Sequence, residues 1–381
     1  MADASPDIQF PQTSTRDPGE VAARLQAWLT KQLPARGAPQ VSNLEIPSTN
    51  GLSSETVLFE ATWDEASGTR QESLVARIAP EASAVPVFPI YDLERQFRVM
   101  QLVGEHSSVP VPRVYWSEPD PAPLGSPFFV MERIDGQVPP DILPYNFGSW
   151  LSEGTPDQLA TLEEATVGVL AELHAIDRPL ERFAFLELDR PEPTALGRHV
   201  ADQWSYYEWV VADGLRSPLL EACFAWLRKH WPQPEGDTVF SWGDSRIGNI
   251  LYRDFTPAAV LDWEMAGLAP REVDLGWLIF MHRFFEEVAA DYGLPGMPEL
   301  LRRDDVAARY ESITGYTPRD LDFYTMYAAT RHGIIMSRIA RRAIHFGETT
   351  APDDVDDMIS HRRTLERMLA GSYWADRGGA A

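Results

Sequence analysis

Near the start of the chain, Val21, Leu25, Trp28 and Leu29 recur at helical spacing, and Pro34 marks where that pattern stops. From residue 41 to 134 the texture changes to short runs rich in β-branched and aromatic residues: VSNLEI, ETVLFEATW, ESLVARIA, RVYW and PFFVMERI, separated by turn formers. One helical stretch interrupts them, YDLERQFRVMQLVG, with Leu93, Phe97 and Met100 on one face. Strands, one helix, then more strands predict a small antiparallel sheet with a single helix packed on it.

After Gly136 the 3.6-residue period takes over. PDQLATLEEATVGVLAELHAID (156–177) carries it strongly, and further helical patterns occupy about 196–230, 271–292, 297–313, 318–346 and 353–371. A β-like hairpin at 238–266 is the island among them. The pattern therefore predicts an α+β chain in three parts. Residues 1–40 hold a loose leader (1–19) and a helix, 41–133 a β-rich lobe, and 134–381 a helical lobe, with the junction near Met131–Gly136.

Composition agrees with that division. A chain of 381 residues exceeds one ordinary core, and 44% hydrophobic with 24% charged residues is a globular balance. No apolar stretch approaches the roughly 20 residues that a membrane helix needs. The N-terminal residues show neither a basic nor an apolar targeting region. The single cysteine, Cys223, excludes an internal disulfide framework and a cysteine-rich zinc site, so a cytoplasmic location is expected. With 33 basic against 57 acidic residues the net charge is −24. Such a field repels nucleic acid and anionic membranes and attracts cationic small molecules, although solubility alone also accounts for it.

Candidate chemistry concentrates in SWGDSRIGNILY (241–252) and LDWEMAG (261–267). Asp244 and Asn249 stand five apart, and Asp262 follows eighteen after the first. Short apolar runs, Ile250–Tyr252 and Ala258–Leu261, predict two strands with a polar side chain at each mouth. Two aspartates and an asparagine oxygen are hard ligands suited to Mg²⁺. Phosphoryl transfer from ATP needs such a set: metal for the phosphates, and a carboxylate to take the acceptor hydroxyl's proton. The alternative is a surface hairpin with capping Asp and Asn.

W-G-D-S-R-I-G-N, L-D-W-E and D-L-G together resemble the signature of the aminoglycoside phosphotransferases and the related choline-kinase-like enzymes. There the pattern usually reads H-G-D-x4-N, I-D-W/F-E and D-L/I-A. G-L-S-S-E-T, P-V-P-R-V, F-F-V-M-E-R-I-D-G and L-H-A-I-D extend the likeness over about 41–371, similar in texture to actinobacterial members. The resemblance implies a protein-kinase-like two-lobed fold, with a small antiparallel β N-lobe bearing one helix and a larger, mainly helical C-lobe. It implies transfer of the γ-phosphate of ATP, with Mg²⁺, to a hydroxyl of an aminoglycoside-like or other polar metabolite. By position, Asp244 would be the catalytic base, and Asn249 and Asp262 the metal ligands. Asp274 would brace the catalytic loop, a role compatible with capping a helix. Arg246 would pair with a phosphate or a neighbouring carboxylate. Gly51, Ser53 and Ser54 would offer backbone N–H groups to the phosphates. Arg77 would grip them, with Glu94 or Gln96 as its helical partner. Met131, Glu132 and Ile134 would form the adenine-reading linker.

Three positions depart from the pattern. Arg77 stands for the usual lysine, exchanging a point donor for a planar fork. Gln96 aligns best with the usual glutamate; Glu94 is two positions away, about 200° around a helix, so both cannot face Arg77. Trp242 replaces a structural histidine. These departures admit a second reading, a catalytically weak nucleotide-binding module, and the aspartates alone admit a third, a metal-dependent hydrolase. For the acceptor, Trp204, Tyr206, Tyr207 and Trp209 offer stacking or cation–π surfaces, or else a helix–helix core contact. Glu286, Glu287, Asp291, Asp353, Asp354, Asp356 and Asp357 could meet ammonium groups or simply cap and solvate helices. The acceptor and the oligomeric state stay open.

Overall fold

A computed structural model of the chain describes residues 16–33, 38–47, 54–80, 85–141 and 144–375. In chain order these form α1 (Pro18–Gln32), β1 (Gln40–Glu45), β2 (Glu55–Glu65), β3 (Gly68–Ile78), α2 (Leu93–His106), β4 (Val114–Glu118), β5 (Phe128–Glu132), α3 (Pro156–His174), α4 (Pro179–Arg182), α5 (Ala195–Val210), α6 (Pro218–Lys229), β6 (Thr238–Ser241), β7 (Ile250–Arg253), β8 (Thr256–Val260), β9 (Gly267–Pro270), α7 (Glu272–Asp291), α8 (Arg303–Thr314), α9 (Leu321–His345) and α10 (Arg362–Ala370). The chain divides into two compact units. One runs to Arg98 and takes in Arg113–Arg133; the other comprises Val99–Pro112 and the chain from Ile134 onward.

The first unit is a five-stranded antiparallel sheet in the order β1-β2-β3-β5-β4. Strand β2 alternates strictly: Glu55, Val57, Phe59, Ala61 and Trp63 are buried, and the residues between them are half-buried. That period of two gives the sheet an apolar face from Val57 to Trp63. Helix α1 closes over it, with Val21, Leu25, Trp28 and Leu29 in one core with Val57, Phe59, Leu74, Ile78, Phe128 and Val130. The sheet therefore carries α1 as well as the single helix that the pattern predicts. Pro18 and Gly19 also belong to that helix and not to a leader. Asp17 accepts from Glu20 N–H (2.8 Å), and Pro18 occupies the first turn, where a missing N–H costs nothing.

The second unit is mainly helical. Helix α3 starts on a capping box, with Thr155 and Gln158 each accepting the other's backbone N–H. The helical pattern over about 196–230 resolves into two helices, α5 and α6. Gly214, at φ +87°, turns the chain, and Ser217 caps α6 just before Pro218. The pattern over 353–371 resolves into a 3₁₀ turn, Val355–Met358, and α10. The expected hairpin at 238–266 is two nested antiparallel pairs. β7 pairs with β8 from Ile250↔Val260 to Arg253↔Thr256, and outside them β6 pairs with β9 from Thr238↔Pro270 to Ser241↔Gly267. Strand β9 was invisible to the pattern because GLAP, bounded by Gly and Pro, has no strand signature. The nesting brings both ends of the motif-bearing segment to the start of α7.

Candidate active site

The loop after β6 turns at Gly243, whose φ is +88°. A Cβ added there would lie 1.9 Å from the Met265 carbonyl oxygen, so the turn admits only glycine. Asp274, in the first turn of α7 and fully buried, ties the loop down. Its Oδ1 accepts from Ser241 Oγ (2.8 Å) and Gly243 N–H (2.9 Å), its Oδ2 from Trp242 N–H (2.9 Å) and His174 Nε2 (3.1 Å). Its own carbonyl accepts from Ser245 Oγ (2.8 Å). Burial alone would raise the Asp274 carboxyl, but His174, Gly243 and Ser241 outweigh it and hold it below the usual carboxylate range.

This clamp delivers Asp244 with both carboxylate oxygens engaged. Oδ1 accepts from Trp277 Nε1 (2.7 Å), and Oδ2 from Asn249 Nδ2 (2.7 Å) and Arg246 Nε (3.3 Å). Asn249 Nδ2 also donates to the Asp244 carbonyl (3.0 Å), which turns its amide nitrogen to Asp244 and leaves Oδ1 for another partner. Arg246 Nη1 reaches both oxygens of Asp141, at 2.6 and 2.8 Å. The guanidinium thus pairs with two carboxylates, one of the two partners expected for it. Burial would lower its pKa, but Asp244, Asp141 and Asp262 keep it above the ordinary arginine value.

Asp262 follows β8 in the left-handed region, φ +58°, which Asp tolerates better than most residues. Leu261 N–H donates to the Asn249 carbonyl (2.9 Å), so Asn249 and Asp262 are held side by side. Trp242 secures the same segment. Its indole N–H, buried, lies 3.0 Å from Leu261 O and 3.2 Å from Asp262 O. The residue that replaces the usual histidine therefore still anchors the loop, and His174 of α3 supplies an imidazole to Asp274, backed by Tyr310 OH on Nδ1 (2.8 Å). The amide oxygen of Asn249 and the carboxylate of Asp262 are hard donors, a pair that fits Mg²⁺ retaining water and phosphate ligands.

Gly51 and Ser53 lie outside the described residues. Ser54 is buried, and its Oγ has no hydrogen-bond partner among the described residues. Arg77 stands opposite Thr56 in the β2–β3 pair and donates to its Oγ1 (2.8 Å). Glu94 is exposed on α2, whereas Gln96 is buried. Met131 is buried in β5, Glu132 ends that strand with its N–H on Arg113 O (2.8 Å), and Ile134 is half-buried.

The aromatic run of α5 is engaged in packing. Tyr206 and Tyr207 are buried, Trp204 meets Phe224 edge-on at 5.0 Å, and Arg338 lies 4.4 Å from the Trp209 ring centre. The acids that could meet an ammonium group are mostly partnered within the chain. Glu286 accepts from Asn146 and Met297, Asp291 from Arg363, and Asp354 and Asp357 from Arg362; Asp356 caps the start of α6. Trp277, Asp141, His174 and Arg331 were not assigned roles by the sequence pattern. Trp277 had one signal, its place one turn beyond Asp274 on α7.

A model of the phosphotransferase enzyme family matches residues 49–301. The fold is similar to that of a putative aminoglycoside phosphotransferase from Ralstonia eutropha JMP134, at TM-score 0.64 and 20% identity, covering 93% of this chain and 98% of that one. It is similar also to a thermostable mutant of aminoglycoside phosphotransferase APH(4)-Ia in ternary complex with AMP-PNP and hygromycin B, at TM-score 0.54 and 14% identity, covering 92% and 100%. These likenesses establish the kinase-like fold. Among curated proteins, a probable acyl-CoA dehydrogenase of Arabidopsis thaliana, IBR3, is 25% identical over 309 residues, 77% of this chain. The chain spans about a third of that relative, 35% of its length.

Proposed function

We propose that the chain, which belongs to the phosphotransferase enzyme family, is an ATP- and Mg²⁺-dependent kinase that transfers phosphate to a hydroxyl of a small polar metabolite. The observation that carries this reading is the hold on Asp244: Trp277, Asn249 and Arg246 fix its carboxylate at the end of a loop that Asp274 clamps to α7. A carboxylate so fixed orients the acceptor O–H and takes its proton. As the acceptor oxygen bonds to the γ-phosphorus, the bond from that phosphorus to the β–γ bridging oxygen breaks and ADP leaves. Positioning and charge stabilisation suffice, with no covalent enzyme intermediate. Mg²⁺, held by Asn249 and Asp262, would supply neutralisation of the phosphate charge. Gly51, Ser53, Ser54, Arg77 and Glu94 are the proposed phosphate side of the nucleotide site, and Met131, Glu132 and Ile134 its adenine side. The AMP-PNP complex of the APH(4)-Ia mutant supports nucleotide use by this fold.

Two acceptor classes follow. Hygromycin B in that same complex supports an aminoglycoside-like acceptor, and the net charge of −24 suits a cationic one. The Arabidopsis relative is named for acyl-CoA oxidation, and this chain matches only part of it, which supports hydroxyacyl thioesters as the second class. We place the reaction in the cytoplasm, with no nucleic-acid or membrane partner; among the described residues no helix is long and apolar enough to cross a membrane. Phosphorus NMR and mass spectrometry of the purified chain with ATP, Mg²⁺ and both acceptor classes test this. A phosphate monoester on one class names the acceptor. ATP binding without any phosphorylated product favours the weak nucleotide-binding module that Arg77 and Gln96 suggest, and no ATP binding removes the kinase reading.

A further inference from the structure

Beneath Asp244 lies a group that the reaction does not call upon directly. Arg331, in the middle of α9, is 1% exposed. Its guanidinium carbon sits 4.5 Å from the centre of the Trp277 ring and 5.7 Å from that of Tyr327, and Nη2 donates to the Gly243 carbonyl (3.3 Å). Nε and Nη1 are buried and, among the described residues, have no hydrogen-bond acceptor. A guanidinium with orphaned donors is a costly thing to bury, and a core of this size could hold an apolar side chain instead. Burial lowers its pKa from the ordinary arginine value, while Tyr327, Asp274 and Asp244 act in the opposite sense.

Trp277 lies between this cation and the base. One face of the indole meets the guanidinium, and its N–H meets Asp244 Oδ1 at 2.7 Å. A cation against the ring draws electron density out of the π-system and strengthens the N–H as a donor. The donors are also unequally divided. A carboxylate offers about four lone-pair sites, two on each oxygen. Oδ2 already receives Asn249 and Arg246, whereas Oδ1 receives only Trp277 among these donors, so the open site is on Oδ1.

We propose that Trp277 and Arg331 are positioning residues for the base, the guanidinium sharpening the indole N–H and the indole holding the Asp244 carboxylate so that Oδ1 meets the acceptor hydroxyl. This rests on the kinase reading above. It assigns the Gly243–Asp244 loop a second support, from α7 and α9, independent of the Asp274 clamp.

The test uses the full chain with ¹⁵N-labelled indoles. The Trp277 Nε1–H resonance is assigned with Trp277→Phe or, if that variant does not fold, by its nuclear Overhauser contacts within α7. The resonance is expected well downfield. Asp244→Asn, which leaves the packing of Trp277 untouched, should move it upfield. Arg331→Met should move it the same way, and Arg331→Lys should recover part of the shift. An unchanged resonance in Asp244→Asn overturns the hydrogen bond, and a resonance that responds there but not in Arg331→Met overturns the role of the cation. In acceptor-dependent ADP release, Trp277→Phe should lower kcat by about 10- to 100-fold, the worth of one hydrogen bond to a charged group, with KM for ATP within about twofold. A change confined to KM overturns the positioning role. Absence of acceptor-dependent turnover in the wild-type chain would instead defeat the kinase reading, and the resonances would still decide the geometry.

Discussion

Replacing Asp274 with asparagine changes one oxygen for an NH₂ group and removes the charge, with almost no change in volume. The carboxylate receives four donors, two on each oxygen. Whichever way the amide is turned, its NH₂ faces a backbone N–H that cannot accept, Gly243 or Trp242, while Ser241 Oγ or His174 Nε2 beside it can turn to accept. The lost bond to a charged acceptor contributes about 1.5–3 kcal/mol and the buried N–H left unsatisfied costs about 1–3 kcal/mol more, so the protein is destabilised by about 3–6 kcal/mol. That is a large share of a total stability of roughly 5–15 kcal/mol. Urea unfolding followed by tryptophan fluorescence should show the midpoint fall by on the order of 1–3 M with the slope unchanged. The sign with pH also follows. The Asp274 carboxyl is held low in the fold, so its contribution is fully present above the unfolded carboxyl value of about 3.9 and is lost as pH falls through the lower folded value. Asp274→Asn should therefore flatten the acid limb of the stability curve. A loss below about 1 kcal/mol, with the acid limb unchanged, would refute the claim that this carboxylate carries the loop.

Gly243→Ala forces a Cβ into the Met265 carbonyl at a positive φ, and should destabilise by about 2 kcal/mol or more while abolishing turnover; a normal melting temperature would contradict it. Asn249→Ala should raise the Mg²⁺ concentration needed for half-maximal ADP release at least about tenfold, since a lost ligand contact of about 1.4 kcal/mol is tenfold; an unchanged Mg²⁺ titration removes Asn249 from the metal site. His361 is buried neutral, with a pKa pushed down to about 4 by its burial, so the stability tied to it is fully present above about 6.5 and is lost as pH falls toward 4. By pH 5 that loss is about 2 kcal/mol. His361→Gln should lessen the fall in Tm between pH 7 and 5, and an identical fall would show that the imidazole does not titrate as described.

What could be read from the sequence and what could not divide along chain separation. Asp244, Asn249 and Asp262 fall within one segment whose strands pair locally, so their spacing is nearly their geometry. Asp274 is placed instead by its match to the family pattern, because β9, which pairs with β6 and brings Ser241 and Gly267 together just before α7, has no strand signature. The partners that complete the site come from further away. Asp244 meets Trp277 over 33 residues, Gly243 meets Arg331 over 88, Asp274 meets His174 over 100, and Arg246 meets Asp141 over 105. Nothing in a helical period marks His174 or Arg331 apart from its neighbours, because buried polar residues on a packed face read as breaks in the pattern. Trp242 shows the opposite case. Judged against the usual histidine it reads as a loss, yet its indole bonds to two carbonyls beside Asp262 show that size and one N–H suffice to secure the segment. The aromatic run of α5 admits two readings from sequence, a stacking surface or a helix–helix core contact, and the packing of Trp204 on Phe224 of α6 with Tyr206 and Tyr207 buried is the second.

The most direct test of the central claim is Mg²⁺-dependent ADP release by the purified chain, with and without each acceptor class, beside Asp244→Asn. One class should raise the rate above the ATP-only background, and Asp244→Asn should remove the rise while ATP still binds. Acceptor-stimulated release that persists in Asp244→Asn would contradict it, because the proton of the acceptor hydroxyl would then be going to some other group.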